Sequence, residues 1–176
     1  MRKLLNAELE RKSVDEFKMS SKTPVVMVLD NVRSLNNVGS VFRTADAFLV
    51  EAVYLCGITG QPPNKEIQKT ALGATESVSW KYFANTLDAV AELKANNYIV
   101  YAIEQTESAI MLNNFMPSKK QKIAIIFGNE VKGVDQSVID ASEDVIEIPQ
   151  IGTKHSLNIS VSVGIVMWDL FLKLGR

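Results

Sequence analysis

The chain has 176 residues, 47% hydrophobic and 22% charged, with a formal net charge of −1; it is long enough to bury about 70% of its unfolded surface without covalent staples. A single cysteine, Cys56, excludes an internal disulfide framework, and no apolar run approaches the roughly 20 residues a bilayer requires. The balanced charge excludes a global cationic field, so any nucleic-acid partner has to be held by local patches.

Residues 1–23 read as an N-terminal helical extension. Arg2, Lys3, Arg11, Lys12, Lys18 and Lys22 stand against Glu8, Glu10, Asp15 and Glu16. Leu4, Leu5, Leu9 and Val14 recur at helical spacing, which predicts one short amphipathic helix ending near Ser20-Ser21. It reads either as a solvated cap on the main domain or as a basic arm for nucleic acid. The segment carries no apolar core of the signal-peptide kind, so the expected location is cytoplasmic.

The main domain is assigned to residues 24–176, where strands and helices alternate. Val25 to Leu29 is an apolar run of strand length, followed by helical periodicity from Val38 to Leu49. A second strand is expected over Ala52 to Cys56, then a loop with Gly57, Gly60, Pro62 and Pro63 and a polar helix from Asn64 to about Ala71. Ser77 to Phe83 reads as a third strand, Leu87 to Leu93 as a helix stopped at Asn96-Asn97, and Tyr98 to Ala102 as a fourth strand. Ile123 to Phe127 and Val145 to Ile148 are the fifth and sixth, and a long helix runs from Ser156 to about Leu174. Continuous apolar strands between helices predict an α/β fold, a mostly parallel sheet with helices on both faces.

Open parallel sheets bind ligands beyond the carboxyl ends of their strands, which directs attention to three loops. The first runs from Asn31 to Gly39, with Arg43-Thr44-Ala45 a turn later; it sets Asn37 at or near a helix cap and Arg43 in the helix, an amide and a guanidinium close to one loop. A plain N-cap with a surface arginine is the alternative. The second is Phe127-Gly128-Asn129-Glu130-Val131-Lys132-Gly133, where a strand meets a glycine and a carboxylate, either for close approach of a ligand or for a simple turn. The third is Ile148-Pro149-Gln150-Ile151-Gly152-Thr153-Lys154-His155-Ser156-Leu157-Asn158, in which Ser156 and Asn158 either cap the last helix or face a substrate. Neither the G-x-G-x-x-G fingerprint nor a G-x-x-x-x-G-K-[ST] phosphate loop is present. One histidine and one cysteine do not assemble the usual zinc ligand sets, so no metal is expected. His155 reads as a loop residue without an orienting partner, and Cys56 as a small buried hydrophobe.

In order and character, Asn37-Val38-Gly39 with Arg43-Thr44-Ala45, Phe127-Gly128-Asn129-Glu130 with Gly133, and Ile148-Pro149 with Gly152 and Ser156-Leu157-Asn158-Ile159-Ser160-Val161 resemble the three signature motifs of the SpoU (TrmH-like) branch of the SPOUT RNA methyltransferases. The resemblance covers about residues 24 to 175. It implies a SPOUT-type α/β knot with a deep C-terminal trefoil, which general topology rules would not suggest, and a homodimer. It also implies transfer of methyl from S-adenosyl-L-methionine to a ribose 2'-hydroxyl of tRNA or rRNA. By the same resemblance Phe127, Gly128, Asn129, Ile148, Gly152, Ser156 and Leu157 hold the cofactor, and Arg43, Asn37, Glu130, Ser156 and Asn158 form the catalytic set.

Arginine stays protonated in nearly all protein environments, so Arg43 is expected to stabilise alkoxide charge or anchor a phosphate, although a general-base role stays open. Glu130 is expected to orient a cation. RNA contacts are expected from Arg33, Arg43, Lys65, Lys69 and Lys154, with a solvated helix face the alternative for Lys65 and Lys69. The last helix is apolar nearly all round, which calls for burial on more than one side, by the core and by a partner subunit. Lys154-His155 before the serine and Val131-Lys132 after the glutamate depart from the family pattern. The lack of a separate N-terminal RNA-binding domain favours tRNA slightly. A catalytically silent RNA-binding module and an ordinary doubly wound nucleotide enzyme are the competing readings.

Overall fold

The apolar run after Pro24 is a strand covered on both sides. In the computed structural model, which describes residues 1–175, Val25, Met27 and Leu29 join one hydrophobic layer and Val26 and Val28 the other. Ile123, Ile125 and Phe127 alternate with Ala124 and Ile126 in the same way. This two-sided burial is the reason both strands read as unbroken apolar sequence.

The sheet contains β1 (Thr23–Asp30), β2 (Val50–Cys56), β3 (Ser79–Phe83), β4 (Tyr98–Ile103), β5 (Ile110–Met111), β6 (Lys122–Phe127) and β7 (Asp144–Glu147). Their order is β3-β2-β1-β6-β4-β7-β5, and every pairing is parallel. β6 enters between β1 and β4, and β7 between β4 and β5. One face is covered by α1 (Val14–Met19), α2 (Leu35–Ala47), α3 (Lys65–Ala71), α4 (Ala74–Ser77) and α7 (Ile159–Lys173). The other is covered by α5 (Thr86–Ala95) and α6 (Gln136–Asp140).

Several boundaries differ from expectation for local reasons. The N-terminal segment is not one helix: a 3-10 turn, Asn6–Leu9, is separated from α1, whose capping box is made by Ser13 and Glu16. Leu4, Leu5 and Leu9 are exposed, and Phe17 supplies the buried contact. α2 begins earlier than expected because Ser34, not Asn37, is the N-cap, its hydroxyl accepting from the Asn37 amide at 3.3 Å. Ser77 lies in the short α4, so β3 starts at Ser79. α7 starts at Ile159 with Asn158 as its N-cap, which leaves Ser156 in the preceding loop. β5 and α6 had no expected counterpart; each is too short to carry a periodic signal.

A buried carboxylate organises the edge where the site lies. Asp30, at the carboxyl end of β1, is 2% exposed and accepts from Thr86 Oγ1 at 2.5 Å, Asn31 Nδ2 at 2.9 Å and the Asp135 amide at 3.1 Å. Three loops are thereby tied to one carboxylate, which needs those donors because it is out of water. Cys56 lies beside it, its thiol pushed up to about 12 by burial, a structural and not a nucleophilic setting.

Candidate active site

Beyond the carboxyl ends of β4, β6 and β7 opens a cleft of about 540 Å3, in the size range of small-molecule sites. Its apolar walls come from Ile103, Phe127, Ile148, Leu157 and Ile159, and its polar lining includes Asn129, Glu130, Ser156 and Asn158. The loop after β6 is built by its own residues. Asn129 and Gly133 exchange backbone hydrogen bonds at 2.9 Å in both directions. The Asn129 side chain accepts from the amides of Val131 and Lys132 at 2.9 and 3.1 Å and donates to the Asn31 carbonyl at 2.7 Å. Its amide group is thus committed within the protein, and it borders the cleft as part of a rigid loop. A β-carbon on Gly128 would collide with the backbone of Gly133 and Val134, so the close approach that requires glycine there is chain against chain, the turn reading of the motif.

Three residues far apart in sequence form a relay at the rim. Glu130 accepts from the amides of Arg33 (2.9 Å) and Ser34 (3.0 Å) and from Asn37 Nδ2 (3.2 Å). Asn37 Oδ1 in turn accepts from Asn158 Nδ2 at 3.3 Å, and Asn158 Oδ1 accepts from the Ser160 amide at 2.8 Å as the cap of α7. Partial desolvation works to raise the Glu130 pKa, but the amides and Asn37 outweigh it and hold the carboxylate below its usual value. Its position at the start of α2 adds the favourable end of the helix dipole. Where a cation was expected, the partners of Glu130 within the chain are backbone amides and a neutral side-chain amide.

Arg43 lies elsewhere. It is exposed on α2 and lines a second groove of about 600 Å3 with Ser40, Thr44, Lys69, Thr70, Ser160 and Gly164. The groove and the cleft meet at the first turn of α7, where Ser160 faces the one and Ser162 the other. Lys69 pairs with Glu66 at 2.6 Å on the surface of α3, and Lys65 is exposed at the start of that helix. Arg33 is exposed beside the relay; Lys154 and Gly152 lie in the exposed 151–158 segment outside the cleft lining. Among the described residues, no group of three or more His, Cys, Asp or Glu is placed to hold a metal ion, and no helix is long and apolar enough to cross a membrane.

The sequence profile of the SpoU rRNA Methylase family matches residues 24–168. The chain belongs to this family. A protein of Staphylococcus aureus (strain COL), named for the TrmH family of tRNA/rRNA methyltransferases, is 30% identical over 173 residues, which are 96% of this chain and 68% of the relative. The crystal structure of the A. aeolicus TrmH/SpoU tRNA modifying enzyme superposes with a TM-score of 0.80 at 22% identity, over 91% of this chain and 80% of that one. An AdoMet-bound rRNA methyltransferase from Sinorhizobium meliloti does so with a TM-score of 0.76 at 26% identity, over 91% of this chain and 60% of that one.

In this SpoU-family chain the cleft also contains residues that loop reading did not single out. Ile103, Glu104 and Gln105 at the end of β4 and Glu147 at the end of β7 are part of the lining, and His155, read from the sequence as a plain loop residue, joins them there. The strand ends carry no local signal: β4 borders the site because it lies between β6 and β7 in the sheet, and strand order is not readable from local sequence.

Proposed function

We propose that this SpoU-family RNA methyltransferase uses S-adenosyl-L-methionine to methylate a ribose 2'-hydroxyl of tRNA or rRNA. The observation that carries the reading is the convergence of all three motif loops: Glu130, Asn37 and Asn158 join in one relay on the wall of a cleft bordered by Phe127, Ile148, Ser156 and Leu157. The cleft's volume and its apolar walls beside hydrogen-bonding groups fit a nucleoside carrying an amino-acid arm. When bound, the cofactor supplies a methyl group on a sulfonium, which leaves as a neutral thioether.

The protein's task is then to position the hydroxyl and to manage its charge. Arg43 donates to the developing alkoxide or to the adjoining phosphate, and the proton departs to that phosphate or to solvent, because guanidinium is a poor acceptor. Asn37 and Asn158 hold the α2 and α7 starts in register around the ribose. The RNA strand follows the groove of Arg43 and Lys69 and reaches the cleft around the first turn of α7, with Arg33, Lys65 and Lys154 as further phosphate contacts. Residues 24–176 form the catalytic domain in this reading and residues 1–23 an extension; the start of the family match at residue 24 supports the division. The reading includes the trefoil knot, supported by the late entry of β6 and β7 between strands laid down earlier.

The test is transfer of radiolabelled methyl to separate pools of unmodified tRNA and rRNA, followed by nuclease digestion. Label is expected in a 2'-O-methylnucleoside; label confined to a base overturns the ribose assignment.

A homodimer belongs to the same reading. α7 buries Ile159, Val163, Val166, Met167 and Leu170, whereas Val161 (48%), Ile165 (38%), Trp168 (55%) and Leu172 (56%) remain exposed in one stripe. Phe48 and Phe171, in ring contact at 5.4 Å, extend this apolar surface, a contiguous exposed patch of the kind that marks an interaction site. Trp168→Glu is expected to convert a dimer to a monomer by light scattering at micromolar concentration. A wild-type monomer under those conditions removes the proposal.

A further inference from the structure

We infer that Glu104 is a specificity-determining residue that makes the cleft favour a cationic sulfonium over the neutral thioether left after transfer. The inference rests on the cofactor reading of the cleft and names a residue that none of the three motifs contains.

Glu104 follows the last residue of β4, the strand that lies between β6 and β7. Its amide donates to the Ile146 carbonyl of β7 at 3.2 Å. Its carboxylate reaches the other way: Oε2 accepts from the Val134 amide at 3.0 Å, and Oε1 from its neighbour Gln105 at 2.9 Å. Oε2 also lies against the α-carbon of Gly133, where φ is +72° and a β-carbon would strike it. Glu104 is therefore tied through its amide to β7 and through its carboxylate to the loop after β6, and it lines the cleft with that loop.

Two observations give this position a consequence. The carboxylate is half-buried in the cleft lining, and no ion pair engages it among the described residues. An ionised carboxylate accepts about four hydrogen bonds, and the two amides leave acceptor capacity and a full negative charge unmatched in a concave site, where fields are focused. Second, the sulfonium joins the adenosine and methionine portions of its molecule, and Glu104 lines the cleft at the end of β4, the strand between β6 and β7, whose following loops supply the other walls. A ligand that spans the loops after β6 and β7 brings its central charge past the end of β4, where this carboxylate stands. Donor and product differ only in the transferred methyl and in the charge on sulfur, and a carboxylate near the sulfur acts on the charge.

The test uses the full chain without RNA and measures binding of three probes by calorimetry: S-adenosyl-L-methionine, S-adenosylhomocysteine, and sinefungin, whose amine restores a positive charge at the sulfur position. For Glu104→Gln the two cationic probes are expected to weaken about tenfold, with the neutral thioether within about twofold of wild type. Glu104→Asp, which keeps the charge, is expected to retain most of the preference, and thermal melting of the unliganded variants monitors the Val134 latch. Equal weakening of all three probes overturns the inference and makes Glu104 a loop latch or a contact to a shared group. Failure of wild-type protein to bind any of the three overturns the cofactor reading itself, a different result.

Discussion

Arg43→Ala lowers methyl transfer by at least about a hundredfold, the scale for removing a group that stabilises charge in the transition state, while leaving S-adenosyl-L-methionine affinity within about twofold. The separation follows from position: Arg43 lines the α2–α3–α7 groove and is not part of the cleft lining. Stability should be unchanged, because the side chain is exposed and takes part in no hydrogen bond or ion pair among the described residues. Single-turnover label transfer with a parallel calorimetric titration makes the comparison. Arg43→Lys should recover little, since an ammonium lacks the fork that grips an oxyanion and a phosphate together. Near-wild-type transfer by Arg43→Ala removes the residue from the mechanism.

Glu130→Gln has the opposite signature, with binding, turnover and stability falling together. The carboxylate satisfies two backbone amides at the start of α2 and the amide of Asn37; a carboxamide turns a donor toward one of them. Losing such charge-assisted bonds costs about 1–3 kcal/mol, reduced by the solvent exposure of this site. Because Asn37 passes the constraint to Asn158 and the cap of α7, the misplacement reaches both the cleft and the groove, and a shift of about 1 Å is enough for a hundredfold loss of rate. The pH dependence has a definite sign. The folded-state pKa of Glu130 is lowered, so its stabilisation is fully present above the unfolded carboxylate value of about 4.3 and is lost as pH falls through the lower folded value. The difference in urea midpoint between wild type and Glu130→Gln should be largest near neutrality and shrink below pH 4. A constant difference across that range would assign the effect to packing instead of charge.

The strands that could be read directly were those whose burial is two-sided. β1 and β6 announce themselves because each of residues 25–29 and 123–127 faces one core or the other, and α5 and its Asn96-Asn97 stop because capping is local chemistry, with Asn97 in the left-handed region at φ +63°. The extension misled for the converse reason: Leu4, Leu5 and Leu9 have helical spacing but no surface to bury against, and periodicity alone does not hold a helix in water. At the site, motif order identified the loops, yet it did not reveal that the partners of Glu130 are amides.

The sequence by itself determined the alternating α/β plan, the three polar loops at strand ends and the family, because hydrophobic pattern, caps and turn residues act over a few positions and leave a local trace. Only the tertiary structure decided that Asn37 and Glu130, 93 residues apart, and Asn37 and Asn158, 121 apart, share one hydrogen-bonded relay. It alone placed Arg43 in a groove beside the cleft and Glu104 in the cleft lining at the end of β4. Those relations follow from strand order, with β6 inserted beside β1 and β4 held between β6 and β7, and strand order is set by long-range packing that no single stretch of sequence records.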